Sequence, residues 1–144
     1  MNKKIVSALQ LAMEKYDKKT YEHAMRVAGY VAEQDELFLG DIEDAIIIAI
    51  LHDLIEDTDV AIEDIKVIFG NSTIITRGVF LLTKPKDMSY INYCQRLKKE
   101  SAESLAGICA YRVKLADMKD HLNLKETLTD KLKEKYLAGL AELL

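Results

Sequence analysis

The sequence predicts an all-α fold, and three observations lead to that prediction. The 144 residues contain one proline and six glycines, so residues that break helices are few. Apolar residues recur at steps of three and four, as in Ile5, Leu9, Ala12 and Met13, which is the spacing of one helix face. No useful length of sequence alternates between apolar and polar residues, as a half-buried strand would. We therefore expect a compact bundle of about seven or eight helices.

Capping and breaking residues predict where these helices begin and end. Thr20 is a candidate N-cap for the second helix, Asp41 for the third, and Asn71 or Ser72 for the fifth. Gly70 is expected to end the short helix before the fifth. The predicted helices cover about 2–16, 20–33, 41 into the isoleucine run, 62–69, 71–85, 88–99, 103–121 and 125–144.

Length and composition are typical of one globular domain, residues 1–144. A chain of this size buries roughly 68–70% of the surface that its unfolded form exposes. The net charge of −4 argues against a protein that binds nucleic-acid duplexes, which would normally present a basic face. An anionic small molecule remains compatible with this charge, because a metal ion and a few basic side chains can reverse the field locally.

The chain is expected to be cytoplasmic and to have no membrane partner. No apolar run approaches the ~18 residues of a transmembrane helix, and the N-terminus lacks a signal-peptide pattern. Cys94 and Cys109 have no CxxC spacing and are expected to be buried thiols of a reducing compartment. A homo-oligomer is compatible with the sequence.

One segment combines a very apolar run with a group of acids. Residues 45–51 are all Ala, Ile or Leu, and His52, Asp53, Glu56 and Asp57 follow at once. The run is apolar on every face, so its helix should be buried on all sides. If the helix continues, residues three and four apart share a face, which brings His52 near Glu56, and Asp53 near Glu56 and Asp57.

Such a cluster needs positive charge, because burying an unpaired carboxylate is very costly. No Lys or Arg occurs between residues 41 and 65, so a divalent cation is the better physical answer. Neutral imidazole and carboxylate suit first-row divalent ions. The alternative is a solvated acidic helix end in which His52 is a core histidine with satisfied hydrogen bonds.

Two other segments can complete a coordination sphere. His23 lies on the apolar stripe of the second helix, in YEHAMRVA, and Asp117 follows apolar residues in RVKLADMKDHL. A lone histidine in such a stripe is more often structural, but a buried aspartate needs a partner as much as Asp53 does. Together with His52, these residues offer two imidazoles and two carboxylates from three helices, a complete mononuclear set with positions left for water or substrate.

The order His23 … His52-Asp53 … Asp117 resembles that of the HD-domain metal-dependent phosphohydrolases. The motif H-D-x-x-E-D at residues 52–57 is similar to that of the Rel/Spo-type guanosine polyphosphate pyrophosphohydrolases and their small single-domain relatives. The resemblance covers about residues 21–124, with supporting stretches LHDLIEDTDVAIEDIKVIFG, LTK and RVKLADMKDHLNL. It implies a helical bundle of the HD-domain type.

The resemblance also implies roles for individual residues. One divalent ion, usually Mn²⁺, would be bound by His23, His52, Asp53 and Asp117. Glu56 and Asp57 would orient and activate the attacking water and transfer its proton. HD proteins with two metals need additional histidines, and none lies between His52 and His121, so a mononuclear hydrolase is favoured.

The expected substrate is a nucleotide-type phosphate or pyrophosphate ester, with guanosine tetraphosphate (ppGpp) as the specific hypothesis. The segment before His23 is shorter than in the pyrophosphohydrolases, and His121 stands where that family commonly has asparagine. Candidate substrate-binding residues are Lys18, Lys19, Arg26, Tyr90, Lys114 and His121. Two alternatives remain open: a metal-stabilised nucleotide-binding sensor or interaction module without catalysis, and a structural bundle without metal.

Overall fold

The computed structural model describes residues 2–34 and 42–144, and every regular element within these ranges is a helix. The all-α prediction is therefore confirmed. The described helices are α1 (Lys3–Lys15), α2 (Lys18–Ala32), α3 (Ile42–Leu51), α4 (Leu54–Asp57), α5 (Ile62–Phe69), α6 (Ile74–Leu82), α7 (Tyr90–Glu100), α8 (Leu105–Asn123) and α9 (Asp130–Leu143).

The second helix begins earlier than its predicted cap. Asp17, not Thr20, is the N-cap of α2, and its carboxylate accepts the backbone N–H of Thr20 at 2.8 Å. Asp17 lies three residues before Thr20, and its carboxylate accepts an N–H group that has no partner within the first turn of the helix. Aspartate is among the preferred N-cap residues, so Asp17 takes the cap position. The predicted cap at Asp41 lies outside the described residues.

Later helices begin further along the chain than expected. Thr73, rather than Asn71 or Ser72, caps α6, and its hydroxyl accepts the N–H of Thr76 at 3.2 Å. The last helix, α9, starts at Asp130 and not near residue 125, with Thr129 as its N-cap. Several residues in these stretches can cap a helix, and tertiary packing selects one of them.

The expected continuous helix across residues 52–57 is wrong. α3 ends at Leu51 and the one-turn α4 begins at Leu54, so His52 and Asp53 form the turn between them. Asp53 has φ −99° and ψ 0°, in the sparsely populated bridge region where many active-site residues lie. This break adds one helix to the expected number and changes the direction of the side chains that follow.

Two helices form the centre of the bundle. α3 contacts α1, α2, α6 and α8, and six of its ten residues are buried. The long α8 contacts α2, α3, α6, α7 and α9. The two central helices are surrounded by others on several sides, so polar residues at the end of α3 and along α8 are brought into the interior.

No helix in residues 2–34 or 42–144 is long and apolar enough to cross a bilayer. Cys94 and Cys109 are both buried, as expected for packing residues.

The start of α8 approaches the end of α7 so closely that only glycine fits. A Cβ atom at Gly107 would overlap the backbone carbonyl of Glu100. Backbone atoms cannot move aside as a flexible side chain can, so a larger residue would have to displace the α7–α8 junction. At Gly29 on α2, in contrast, an added Cβ meets nothing within 4 Å.

We predict opposite effects for two Gly→Ala variants. Gly107→Ala should lower the free energy of unfolding by about 1–3 kcal/mol, because the clash strains the backbone. Gly29→Ala should raise it by about 0.5–1 kcal/mol, because alanine has the better helix propensity and no clash opposes it. Urea unfolding followed by circular dichroism measures both, and equal effects would contradict this account of the junction.

Candidate metal centre

The four predicted ligand residues converge, although they come from separate parts of the chain. One donor atom from each of His23, His52, Asp53 and Asp117 lies within 4.8 Å of the other three. Nε2 of His23 is 2.8 Å from Oδ1 of Asp117. Nε2 of His52 is 3.2 Å from Oδ2 of Asp53 and 3.4 Å from Oδ1 of Asp117. Helix α2, the turn after α3, and α8 thus deliver their donors to one point.

The other ring nitrogen of each imidazole holds its orientation. Nδ1 of His23 donates to Oδ2 of Asp120 at 2.6 Å, and Nδ1 of His52 donates to the carbonyl of Ala49 at 2.6 Å. Because the proton is on Nδ1, the Nε2 lone pair of a neutral ring faces the cluster. Metal-binding histidines are typically anchored in this way, so the donor set fits a divalent cation.

Burial and charge oppose each other in the cluster. Burial alone would raise the pKa of Asp117, but Lys114 and the three histidines hold it well below its usual range. Burial likewise opposes the charge of His52, but Asp53 and Asp117 outweigh it and raise the His52 pKa well above its usual value. The two carboxylates therefore favour positive charge at this point. A divalent cation can supply that charge, and its binding would release protons from the histidines.

Lys114 is buried and is directed at one of the predicted ligands. Its Nζ lies 2.8 Å from Oδ2 of Asp117, the oxygen opposite to the one that faces the histidines. The ammonium group also lies 5.4 Å from the ring centroid of Tyr90 and 5.3 Å from that of Tyr93. Lys114, a candidate substrate residue from the sequence, thus has a partner within the site.

Asp120 is a site residue that the sequence did not single out. It is 1% exposed, accepts from His23, and accepts from Arg26 Nε at 2.8 Å and from Arg26 Nη2 at 3.1 Å. Burial opposes its charge, but the hydrogen bonds from Arg26 and His23 lower the pKa of Asp120. The only signal in the sequence was its position three residues after Asp117, on the same face of α8.

His121 is the third imidazole near Asp117. Its Nε2 lies 3.2 Å from Oδ1 of Asp117, and its ring stacks on Tyr136 with a centroid distance of 4.8 Å and an angle of 10°. The ring of His23 lies 4.5 Å away on another side. The three histidines of the chain thus point Nε2 at the same carboxylate oxygen, at 2.8, 3.4 and 3.2 Å.

Two recesses open beside the cluster, and His121 and Asp53 line both of them. The first, which we call the tyrosine recess, has cationic and phenolic walls, formed by Lys84, Tyr90, Lys114, Lys135 and Tyr136. The second, which we call the α2 recess, mixes cations and acids, including Lys19, Glu22, Arg26, Asp57 and Glu126. Lys18 projects into solvent, with its side chain 91% exposed and 3.9 Å from Glu22.

Glu56 and Asp57 face different recesses. Glu56 lines the tyrosine recess, where its Oε1 accepts the backbone N–H of Lys84 at 2.7 Å. Asp57 lines the α2 recess, and burial, with the negative charges of Asp53 and Glu56, raises its pKa. Adjacent residues on a helix point about 100° apart, so the one-turn α4 directs these two carboxylates into different recesses.

Comparison with known proteins identifies the family. A family model described as the HD domain matches residues 20–122. The chain belongs to the HD domain family. Its class is therefore the metal-dependent phosphohydrolases that the H … HD … D order predicted.

A solved structure supports the fold assignment. The work on that structure is described as "A metazoan ortholog of SpoT hydrolyzes ppGpp and plays a role in starvation responses". The match has a TM-score of 0.72 and 22% sequence identity, and covers 99% of this chain and 84% of that one. At this identity the likeness establishes the HD-type helical fold. No curated protein matches the sequence.

We predict that Asp120 supports metal affinity through His23. Asp120→Asn removes the charge that holds Nδ1 of His23, and the Mn²⁺ affinity should fall about 10–100-fold. Isothermal titration with Mn²⁺ measures this, and Asp130→Asn, an exposed change in the first turn of α9, is the matched control. Equal affinities for the two variants would contradict a supporting role for Asp120.

Proposed function

We propose that this protein hydrolyses a phosphate or pyrophosphate ester of a nucleotide at a single divalent ion, with guanosine tetraphosphate as the leading substrate. The observation that carries the proposal is the convergence within 4.8 Å of four donor atoms, three of them from buried residues, directly beside two recesses that each contain lysine. We assign the ion to His23, His52, Asp53 and Asp117, whose two imidazoles and two carboxylates suit a first-row divalent metal. Mn²⁺ is the ion that the resemblance to the HD-domain phosphohydrolases implies.

The chemistry divides between the ion and the carboxylates of α4. A divalent ion in this cluster lowers the pKa of water and offsets charge on phosphoryl oxygens. Asp57, whose pKa is raised by burial and by Asp53, accepts the proton of the attacking water, because a more basic carboxylate is the better acceptor. Glu56, held by the backbone amide of Lys84, orients water on the side of the tyrosine recess.

The lysine and tyrosine side chains of the tyrosine recess favour an anionic nucleotide. In the tyrosine recess, Lys135 Nζ lies 4.6 Å from the ring centroid of Tyr90 and 5.7 Å from that of Tyr136. Lysine beside aromatic rings suits a phosphate attached to a nucleoside, because the cation meets the phosphate and a ring can meet the base. Lys19 in the α2 recess offers a second cation. The structural relative described as a ppGpp hydrolase supports guanosine tetraphosphate as the first compound to test.

We predict that Asp57 is needed for turnover but not for metal binding. Asp57→Asn should lower kcat about 10²–10⁴-fold, because the proton acceptor is lost, with an unchanged Mn²⁺ content by elemental analysis. Asp59→Asn is the matched control, since Asp59 is exposed and pairs only at the surface with Lys15 at 3.3 Å. A turnover loss of the same size in both variants would argue against a specific role for Asp57.

A panel of nucleotides assayed with added Mn²⁺ tests the substrate. We expect release of pyrophosphate from guanosine tetraphosphate, measured by chromatography of the products. Turnover of deoxynucleoside monophosphates without turnover of guanosine tetraphosphate would reject that substrate and keep the hydrolase. If the protein binds Mn²⁺ but turns over no compound, and if Glu56→Ala leaves its nucleotide binding unchanged, a nucleotide-binding sensor would be favoured instead.

A further inference from the structure

The turn that carries His52 and Asp53 is tied to a residue outside the segment that matches the HD family model. Tyr16 follows α1, at the C-cap position, and precedes the matched residues 20–122. Its ring is buried. Its hydroxyl donates to the carbonyl of Ile50 at 2.8 Å and accepts the backbone N–H of Asp53 at 3.3 Å.

These two backbone groups lie on either side of the helix break. Ile50 is in the last turn of α3, and Asp53 directly precedes α4. Helix ends leave carbonyl and N–H groups without partners in the helix, and such groups are costly when they are buried. One phenol that serves both groups spans the turn and restrains its two ends relative to each other.

The turn needs such a restraint. His52 and Asp53 lie between α3 and α4 and belong to neither helix, so contacts from elsewhere in the chain help to fix the turn. The side chains of His52 and Asp53 both depend on this backbone for their approach to Asp117. The position of Tyr16 is itself fixed by packing, because Ala8 and Ala12 of α1 are fully buried and α1 packs on α3.

We propose that Tyr16 is a positioning residue of the metal centre, whose hydroxyl holds the turn at residues 51–53 so that His52 and Asp53 meet Asp117. The inference rests on the metal centre proposed above. It adds the end of α1 to the elements that support the metal centre, because Tyr16 lies at the junction between α1 and α2. Tyr16 is not among the residues that line the two recesses, and it acts through the backbone of the turn.

Tyr16→Phe tests the inference, because it keeps the ring and removes both hydrogen bonds. Tyr111→Phe is the matched control: the Tyr111 hydroxyl also donates to a backbone carbonyl, that of Leu143, at 2.8 Å. Tyr16→Met, which fills the space with a flexible apolar chain, is a second variant without the hydroxyl. The measurements are the Mn²⁺ dissociation constant by titration and electron paramagnetic resonance, and the urea midpoint without added metal.

We expect Tyr16→Phe and Tyr16→Met to bind Mn²⁺ about tenfold or more weakly than wild type, whereas Tyr111→Phe keeps the wild-type affinity. The urea midpoints of Tyr16→Phe and Tyr111→Phe should both fall, and that of Tyr16→Phe by more, since Tyr16 loses two hydrogen bonds and Tyr111 loses one. A purely structural role for Tyr16 would lower the midpoint and leave the affinity intact, and that result would overturn the inference alone. Wild-type protein that binds no Mn²⁺ would overturn the metal centre itself and the inference with it.

Discussion

The buried carboxylate of Asp117 is the constraint on which the site depends. Its Oδ1 lies within 3.4 Å of Nε2 in all three histidines, and its Oδ2 lies 2.8 Å from the ammonium group of Lys114. Removing a charge from water costs several kcal/mol in a protein, so this carboxylate requires partners of opposite charge. Helix α2, which carries His23, and the turn that carries His52 must therefore meet α8 at one level of the bundle.

Hydrophobic packing makes that meeting possible. Residues 45–51 of α3 are all apolar, and the helix packs against α2, α6 and α8, so the polar residues that follow its C-terminal end are drawn into the interior with it. The break after Leu51 then turns the chain, and the backbone directs His52 and Asp53 toward α8. A continuous helix would have kept these side chains on its own surface at fixed angles, whereas a turn can aim two adjacent residues at one point.

The same break separates the carboxylates that follow. α4 has a single turn, so Glu56 and Asp57 point to different recesses, with the predicted ligands between them. Glu56 is fixed by the amide of Lys84, which comes from the segment after α6. Each recess thus receives one of the two α4 carboxylates and contains at least one lysine, a combination that suits binding an anion and accepting a proton beside it.

The sequence by itself determined the all-α class and singled out His23, His52, Asp53 and Asp117 as candidate metal ligands, because helical periodicity and metal-donor chemistry depend on residue types and short spacings. Tertiary structure alone decided the break after α3 and the supporting contacts made by Asp120 and Tyr16. These contacts join residues that are far apart in the chain. His23 and Asp120 are 97 positions apart, and no local pattern states that they touch. Only the packing of α2 on α8, driven by burial of their apolar faces, brings the imidazole to the carboxylate.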